Sequence, residues 1–169
     1  MEPDPNTFRK VRHVIVSLLD FFEEELFIPE LKSTTKDAAL AEMVNRLTST
    51  GRIKDDGILL EMLHQRESLG STGIGRGVAV PHGRSLAIGR LTIVLGRSTA
   101  GIDFDAMDSK PVHLVFLTVA PPQERSNLYL PVLGKIVEVV KSARIRKMLL
   151  NAADYKQLAA IISEVDEDA

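Results

Sequence analysis

The sequence predicts an α/β fold, a mixed β-sheet sandwiched between α-helices. Two apolar, β-rich runs, residues 91–95 and 112–119, have the composition of strands buried on both faces. Several other stretches place apolar residues at i, i+3, i+4 and i+7, the period of helices that cover a sheet. Strands and helices do not alternate strictly along the chain, which favours a mixed sheet over a purely parallel one.

Taken in order, residues 1–7 are expected to be disordered, and residues 1–17 to form an N-terminal extension to a domain of residues 18–165. Residues 14–19 are apolar, and an acidic cluster, Glu23, Glu24 and Glu25, follows. Phe27-Ile-Pro-Glu-Leu31 reads as a short edge strand, because its proline removes a ladder donor. Thr34 and Thr35 offer an N-cap to a helix whose stripe is Leu40, Met43, Val44 and Leu47, and Gly51 ends it. Asp55 and Asp56 open a second helix with the face Leu59, Met62, Leu63 and then Arg66, a cation on an apolar face that needs water or an anionic partner.

A glycine-spaced stretch, residues 70–77, leads into the short strand Val78-Ala-Val80, which is expected to end at Pro81-His82-Gly83. The segment between the two long strands, residues 102–111, reads as a hairpin-like or irregular excursion. The last third is helical. Its stripes are Leu133, Ile136, Val137, Val140; then Ile145, Met148, Leu149; then Leu158, Ile161, Ile162 after a cap at Asp154. Pro131 requires the first of these helices to begin close to it. The acidic tail from residue 164 is expected to fray.

Composition narrows the function. With 169 residues and 44% apolar content the chain suits one domain with a genuine core. A net charge of −2 argues against a nucleic-acid binder, and the one basic run, residues 9–13, reads as a solvated segment. The absence of cysteine removes disulfides, thiolate metal sites and cysteine nucleophiles. The polar, acidic start does not resemble a signal peptide, and residues 112–122 are too short an apolar run to span a bilayer, so a cytoplasmic protein without membrane insertion is expected.

The chemistry concentrates at His82. Pro81 fixes its own φ and biases Val80 toward extended geometry, so the histidine is presented at a defined angle at the carboxyl end of a strand. Flanking glycines let an anion approach the main chain. A neutral imidazole is a good nucleophile toward phosphorus, and Arg66 offers the always-charged fork that a phosphoryl group needs. Two other phosphate motifs fail. Gly73-Ile-Gly75-Arg-Gly77-Val78 has valine where a dinucleotide fingerprint needs its third glycine, and no Gly-Lys-Ser/Thr follows to make a P-loop.

The segment Gln65-Arg-Glu-Ser-Leu-Gly-Ser-Thr-Gly-Ile-Gly-Arg-Gly-Val-Ala-Val-Pro-His-Gly83 resembles the active-site signature of type-2 IIA domains of the phosphotransferase system, the fructose/mannitol/nitrogen-regulatory family. Glu67, Ile74, Gly75, Val78, Ala79, Val80, Pro81, His82 and Gly83 fill its places, and Ile102-Asp-Phe-Asp-Ala-Met-Asp-Ser-Lys-Pro-Val112 is similar to a second block of the family. The resemblance implies a type-2 IIA phosphotransferase-like fold. It implies phosphorylation of His82 on a ring nitrogen, the tele position, with Arg66 steadying the phosphorylated state. Ser71, Thr72 and Gly83 are expected beside the phosphate. The implied donor is a phosphohistidine carrier protein, and neither metal nor cofactor is expected.

One departure concerns the second histidine that many members carry near the site. Asn127, in Glu124-Arg-Ser-Asn-Leu-Tyr-Leu-Pro131, is placed at that position. His113 stands where relatives tend to have aspartate and reads as a structural histidine, and His64 as a surface one. Asp103, Asp105 and Asp108 read as a hydrated loop.

Three functions remain open at this level. The first is a regulatory module switched by phosphorylation of His82, favoured by the Gly-Ser-Thr-Gly-Ile-Gly stretch, which looks closest to the nitrogen-regulatory subgroup. The second is a sugar-specific IIA that passes the phosphoryl group to a separate IIB. The third is a binding module that has lost transfer.

Overall fold

The structure, a computed structural model, describes residues 15–168, so the expected disordered start and the basic run lie outside the described residues. Two 3₁₀ turns, Leu18–Phe21 and Glu24–Leu26, lead into β1 (Phe27–Ile28), which stops at Pro29 and forms one edge of the sheet. α1 (Lys36–Ser49) starts on Thr35, whose hydroxyl oxygen accepts the Ala38 N–H at 3.4 Å. α2 (Asp56–Ser68) starts on Asp55, whose carboxylate accepts the Gly57 N–H at 2.8 Å.

The glycine run is a hairpin. β2 (Gly73–Gly75) and β3 (Val78–Ala79) pair antiparallel across Arg76 and Gly77, whose φ angles of 58° and 78° are the two positive values of a tight hairpin turn. These glycines therefore serve strand pairing and close packing rather than an anion cradle. A Cβ on Gly73 would stand 2.8 Å from the Ala106 Cα.

The sequence reading ended a strand at His82, whereas the structure begins one there. β4 (His82–Arg84) and β3 both lie parallel to the long strand β6 (Val112–Ala120), and Pro81, which has no N–H to give the ladder, is the break between them. The Pro81 carbonyl still accepts the Thr118 N–H at 3.0 Å, so β4 stays in line with β3. β5 (Thr92–Ile102) pairs antiparallel with β6 and parallel with β1, which gives the order β1-β5-β6-β3-β2 with β4 also on β6, a mixed sheet.

The two central strands are buried on both faces. Ile93, Leu95, Leu114 and Phe116 point into one core with α3 (Tyr129–Val140), α4 (Ala143–Asn151) and α5 (Tyr155–Glu167). Val94, Val115, Leu117 and Val119 point into the other, with α1 and α2. α3 begins two residues before Pro131, where a missing N–H costs nothing. Asp154 caps α5 by accepting the Gln157 N–H at 2.9 Å. α5 does not fray at residue 164 but continues to Glu167, because the Asp166 carboxylate accepts the Leu18 and Leu19 N–H groups at 2.9 and 3.0 Å. Among the described residues, no helix is long and apolar enough to cross a membrane.

One buried cation ties the layers together. Arg97 of β5 is 9% exposed. Its Nη1 donates to the carbonyls of Leu149, Leu150 and Ala152 at 3.0, 3.3 and 2.7 Å, closing the C-terminus of α4. Its Nε donates to the Pro29 carbonyl at 3.2 Å, and its guanidinium lies 4.9 Å from the centre of the Phe27 ring. Burial pulls the Arg97 guanidinium below its ordinary pKa, with the charge of Glu30 acting the other way.

Candidate functional site

Residues two apart on a strand share a face, so β4 points His82 and Arg84 one way and Gly83 the other. On the Gly83 side lies α2. A Cβ there would fall inside the thioether of Met62, so glycine at this position lets the helix close on the strand. On the His82 side lies the start of α3. The Tyr129 ring centre is 6.5 Å from that of His82, inclined at 55°, and the Arg84 guanidinium carbon is 4.5 Å from the Tyr129 ring centre.

His82 is held in one tautomer. Its Nδ1 lies 2.7 Å from the Val80 carbonyl oxygen. A carbonyl can only accept, so in the neutral ring Nδ1 carries the hydrogen and Nε2 keeps the lone pair. The bond spans only two residues and follows from the turn that Pro81 imposes between β3 and β4. A groove of about 650 Å³ runs past the ring, lined by Val80, Leu133, Gly134 and Val137 together with Glu138 and Lys141.

Positive charge gathers at the same place. Arg66, near the end of α2, is half-buried and donates from Nη1 to the Gly70 carbonyl at 3.0 Å. Burial pushes the Tyr129 phenol above its ordinary pKa, while the charges of Arg84 and Arg66 pull it back down. Both guanidinium groups thus act on the ring that stands beside His82.

The other residues expected at the site are placed differently. The Ser71 hydroxyl donates to the Phe104 carbonyl at 2.8 Å and accepts the Gly73 N–H at 3.1 Å. Thr72 is buried, with its hydroxyl donating to Glu67 and its N–H donating to the same carboxylate at 3.1 Å. Glu67 also receives Lys36 Nζ at 3.0 Å, so the acidic residue of the signature anchors the turn after α2. Both hydroxyls are committed to holding that turn, and Gly83 is committed to packing on Met62. Asn127 is exposed, at a turn where its φ is 54° and its N–H reaches the Glu124 carbonyl at 3.4 Å. The second ring beside His82 belongs to Tyr129, two residues further on, because the turn carries Asn127 outward before α3 begins.

His113 resembles His82 in one respect, its Nδ1 lying 2.7 Å from the Ser98 carbonyl oxygen, but it packs against Gly101. His64 is a surface side chain 3.7 Å from Asp37. Asp103, Asp105 and Asp108 are exposed, and among the described residues no three His, Asp or Glu side chains are grouped as a metal site. Sequence reasoning missed Arg84 and Tyr129. Reading β4 as a strand would have exposed Arg84 through the i, i+2 alternation, whereas nothing local marks Tyr129.

Fold and site together define an α/β domain that presents an imidazole, held through Nδ1, beside an aromatic ring and a groove. The chain belongs to the family described as phosphoenolpyruvate-dependent sugar phosphotransferase system, EIIA 2, whose sequence model matches residues 20–165. It is 32% identical over 143 residues to the fructose-specific EIIA component of Haloferax volcanii, covering 85% of this chain and 92% of that one. It is also 32% identical to a nitrogen regulatory protein of Bradyrhizobium diazoefficiens, covering 86% and 94%. Against the fructose-specific EIIABC component of Bacillus subtilis it is 34% identical but spans only 21% of that longer relative. The crystal structure of the nitrogen regulatory protein IIA-Ntr of Neisseria meningitidis superposes with a TM-score of 0.78 at 28% identity, covering 86% of this chain and 98% of that one.

Proposed function

We propose that this chain is a phosphocarrier of the phosphoenolpyruvate-dependent phosphotransferase system, working in the cytoplasm through a domain of residues 18–165 to which residues 1–17 are an extension. The lone pair of His82 Nε2 attacks the phosphorus of a phosphohistidine on a carrier protein. The new Nε2–P bond forms as the donor's P–N bond breaks, and the bonding pair returns to the donor imidazole nitrogen. The His82 Nδ1–H stays on the Val80 carbonyl throughout and stabilises the positive charge that the ring gains. Arg66 holds the phosphoryl oxygens, and the groove along α3 receives the partner. The observation that carries this reading is the Nδ1 bond to Val80, which leaves Nε2 as the free nitrogen beside that groove.

The phosphorylated state then acts in one of two ways. The likeness to nitrogen regulatory proteins supports a regulatory switch in which charge on His82 selects the partner. The likeness to a fructose-specific EIIA supports delivery to a cysteine of a separate IIB. Intact-mass analysis after incubation with phosphoenolpyruvate, the general enzyme I and a carrier protein tests the shared step. One acid-labile phosphoryl group on the wild type and none on His82→Ala is the expected result. Equal uptake by both, or uptake by neither, overturns it and leaves a binding module. Chasing the loaded protein with a IIB domain separates the two continuations.

A further inference from the structure

Arg84 is a cation of the site that the phosphocarrier reading has not used. Arg84 shares a face of β4 with His82, its register partner on β6 being Ala120 while that of His82 is Thr118. It is exposed, so it is free to move, and its one recorded hydrogen bond is weak, from Nη1 to the Pro122 carbonyl at 3.4 Å. The contact that locates it is aromatic, the guanidinium lying 4.5 Å from the centre of the Tyr129 ring. Tyr129 is itself 6% exposed and fixed at the first turn of α3. The Tyr129 ring thus packs on the Arg84 guanidinium, with the His82 imidazole 6.5 Å away centre to centre. Among the described residues no carboxylate pairs with Arg84, and a guanidinium held by one long hydrogen bond gains by turning to a dianion on the same face of its strand. A guanidinium fork matches two phosphoryl oxygens at once.

We propose that Arg84, carried on the face of Tyr129, is a second phosphate-binding group of this site. It leaves the Pro122 carbonyl to hold the phosphoryl group on His82, with Tyr129 as its positioning residue. The proposal depends on phosphorylation of His82 and adds a ligand carried on the same strand as His82. Arg84 thereby couples the state of His82 to the turn that contains Pro122 and leads into α3.

The test uses the full chain loaded from phosphoenolpyruvate through enzyme I and carrier protein. It compares wild type, Arg84→Met, Arg84→Lys and Tyr129→Leu by uptake rate and by ³¹P NMR titration of the phosphohistidine. Loss of one charge-assisted contact to a developing dianion slows uptake by roughly tenfold in Arg84→Met. Removing the cation also raises the pH at which the phosphoryl group takes its last proton, and Arg84→Lys restores part of that shift. Tyr129→Leu moves both readouts in the direction of Arg84→Met while the arginine is still present. Wild-type rate and titration in Arg84→Met overturn the proposal. Failure of the wild type to load at all overturns the phosphocarrier reading instead. Circular dichroism melting separates either outcome from misfolding.

Discussion

His82 and His113 are held by the same local device, an Nδ1 bond of 2.7 Å to a main-chain carbonyl, yet their neighbours differ. Beside His82 there is a groove and the Tyr129 ring, on which the Arg84 guanidinium lies. His113 also borders a hollow, of about 380 Å³ and shared with Arg97, but it packs on Gly101 of the neighbouring strand, whose added Cβ would stand 3.1 Å from its Cε1. The arginine of that region, Arg97, directs its recorded hydrogen bonds to main-chain carbonyls. The pairing teaches that a fixed tautomer alone does not separate the proposed phosphoryl acceptor from a structural histidine. What faces Nε2 decides, together with whether nearby cations are already engaged.

The comparison breaks most sharply by substitution of the two rings. His82→Gln is expected to abolish phosphoryl uptake, and His113→Gln to leave it at the wild-type level in the same mass measurement. Uptake surviving in the first, or lost in a folded second, would show that the surroundings were misjudged. The two arginines sharpen the contrast. Arg97→Met strips the C-terminal cap from α4 and leaves its carbonyls unpaired, at a cost of about 3 kcal/mol in urea unfolding. Its uptake rate should be unchanged below the unfolding transition, the reverse of the pattern expected for Arg84.

Glycines near the two histidines give smaller effects. Gly73→Ala drives a Cβ against main-chain atoms of Ala106 and should cost about 2 kcal/mol, measured by thermal melting. Gly83→Ala meets only the flexible Met62 side chain, so its stability loss should be the lesser of the two. The smallest effect is pH-dependent. Burial raises the Glu124 carboxyl, but hydrogen bonds from the Ser126 hydroxyl and the N–H groups of Ser126, Leu128 and Tyr129 outweigh it and hold the pKa below its ordinary value. A carboxyl lowered in the folded state stabilises above the unfolded pKa and loses that contribution as pH falls through the folded one. The stability gap between wild type and Glu124→Gln should therefore be open at about pH 7 and shrink toward about pH 3.

Much of this was legible in the sequence. Thr35, Asp55 and Asp154 announce their helices because a capping side chain acts on an N–H two or three residues away. The two long strands are legible because burial on both faces gives each a continuous apolar stretch, Ile93 to Leu95 and Leu114 to Leu117. β4 was not legible, since three residues carry no period and its existence depends on pairing with a strand some 36 positions on (His82 with Thr118). Nor were the duties of Ser71 and Gly83, whose partners Phe104 and Met62 are 33 and 21 residues away in sequence. The surroundings of Asn127, the position of the family's second histidine, are not legible either, because its exposed turn has a left-handed φ of 54° that no local periodicity marks.

The bond network at Asp166 has a consequence for how such a domain travels between proteins. Asp166 accepts from Ser17, Leu18 and Leu19 across 149, 148 and 147 positions of chain, so entry and exit of the folded unit lie side by side. A unit whose ends meet can be spliced into a longer polypeptide at a single point without being stretched. It can equally have its ends joined by a short linker and be reopened at a surface loop, as in circular permutation.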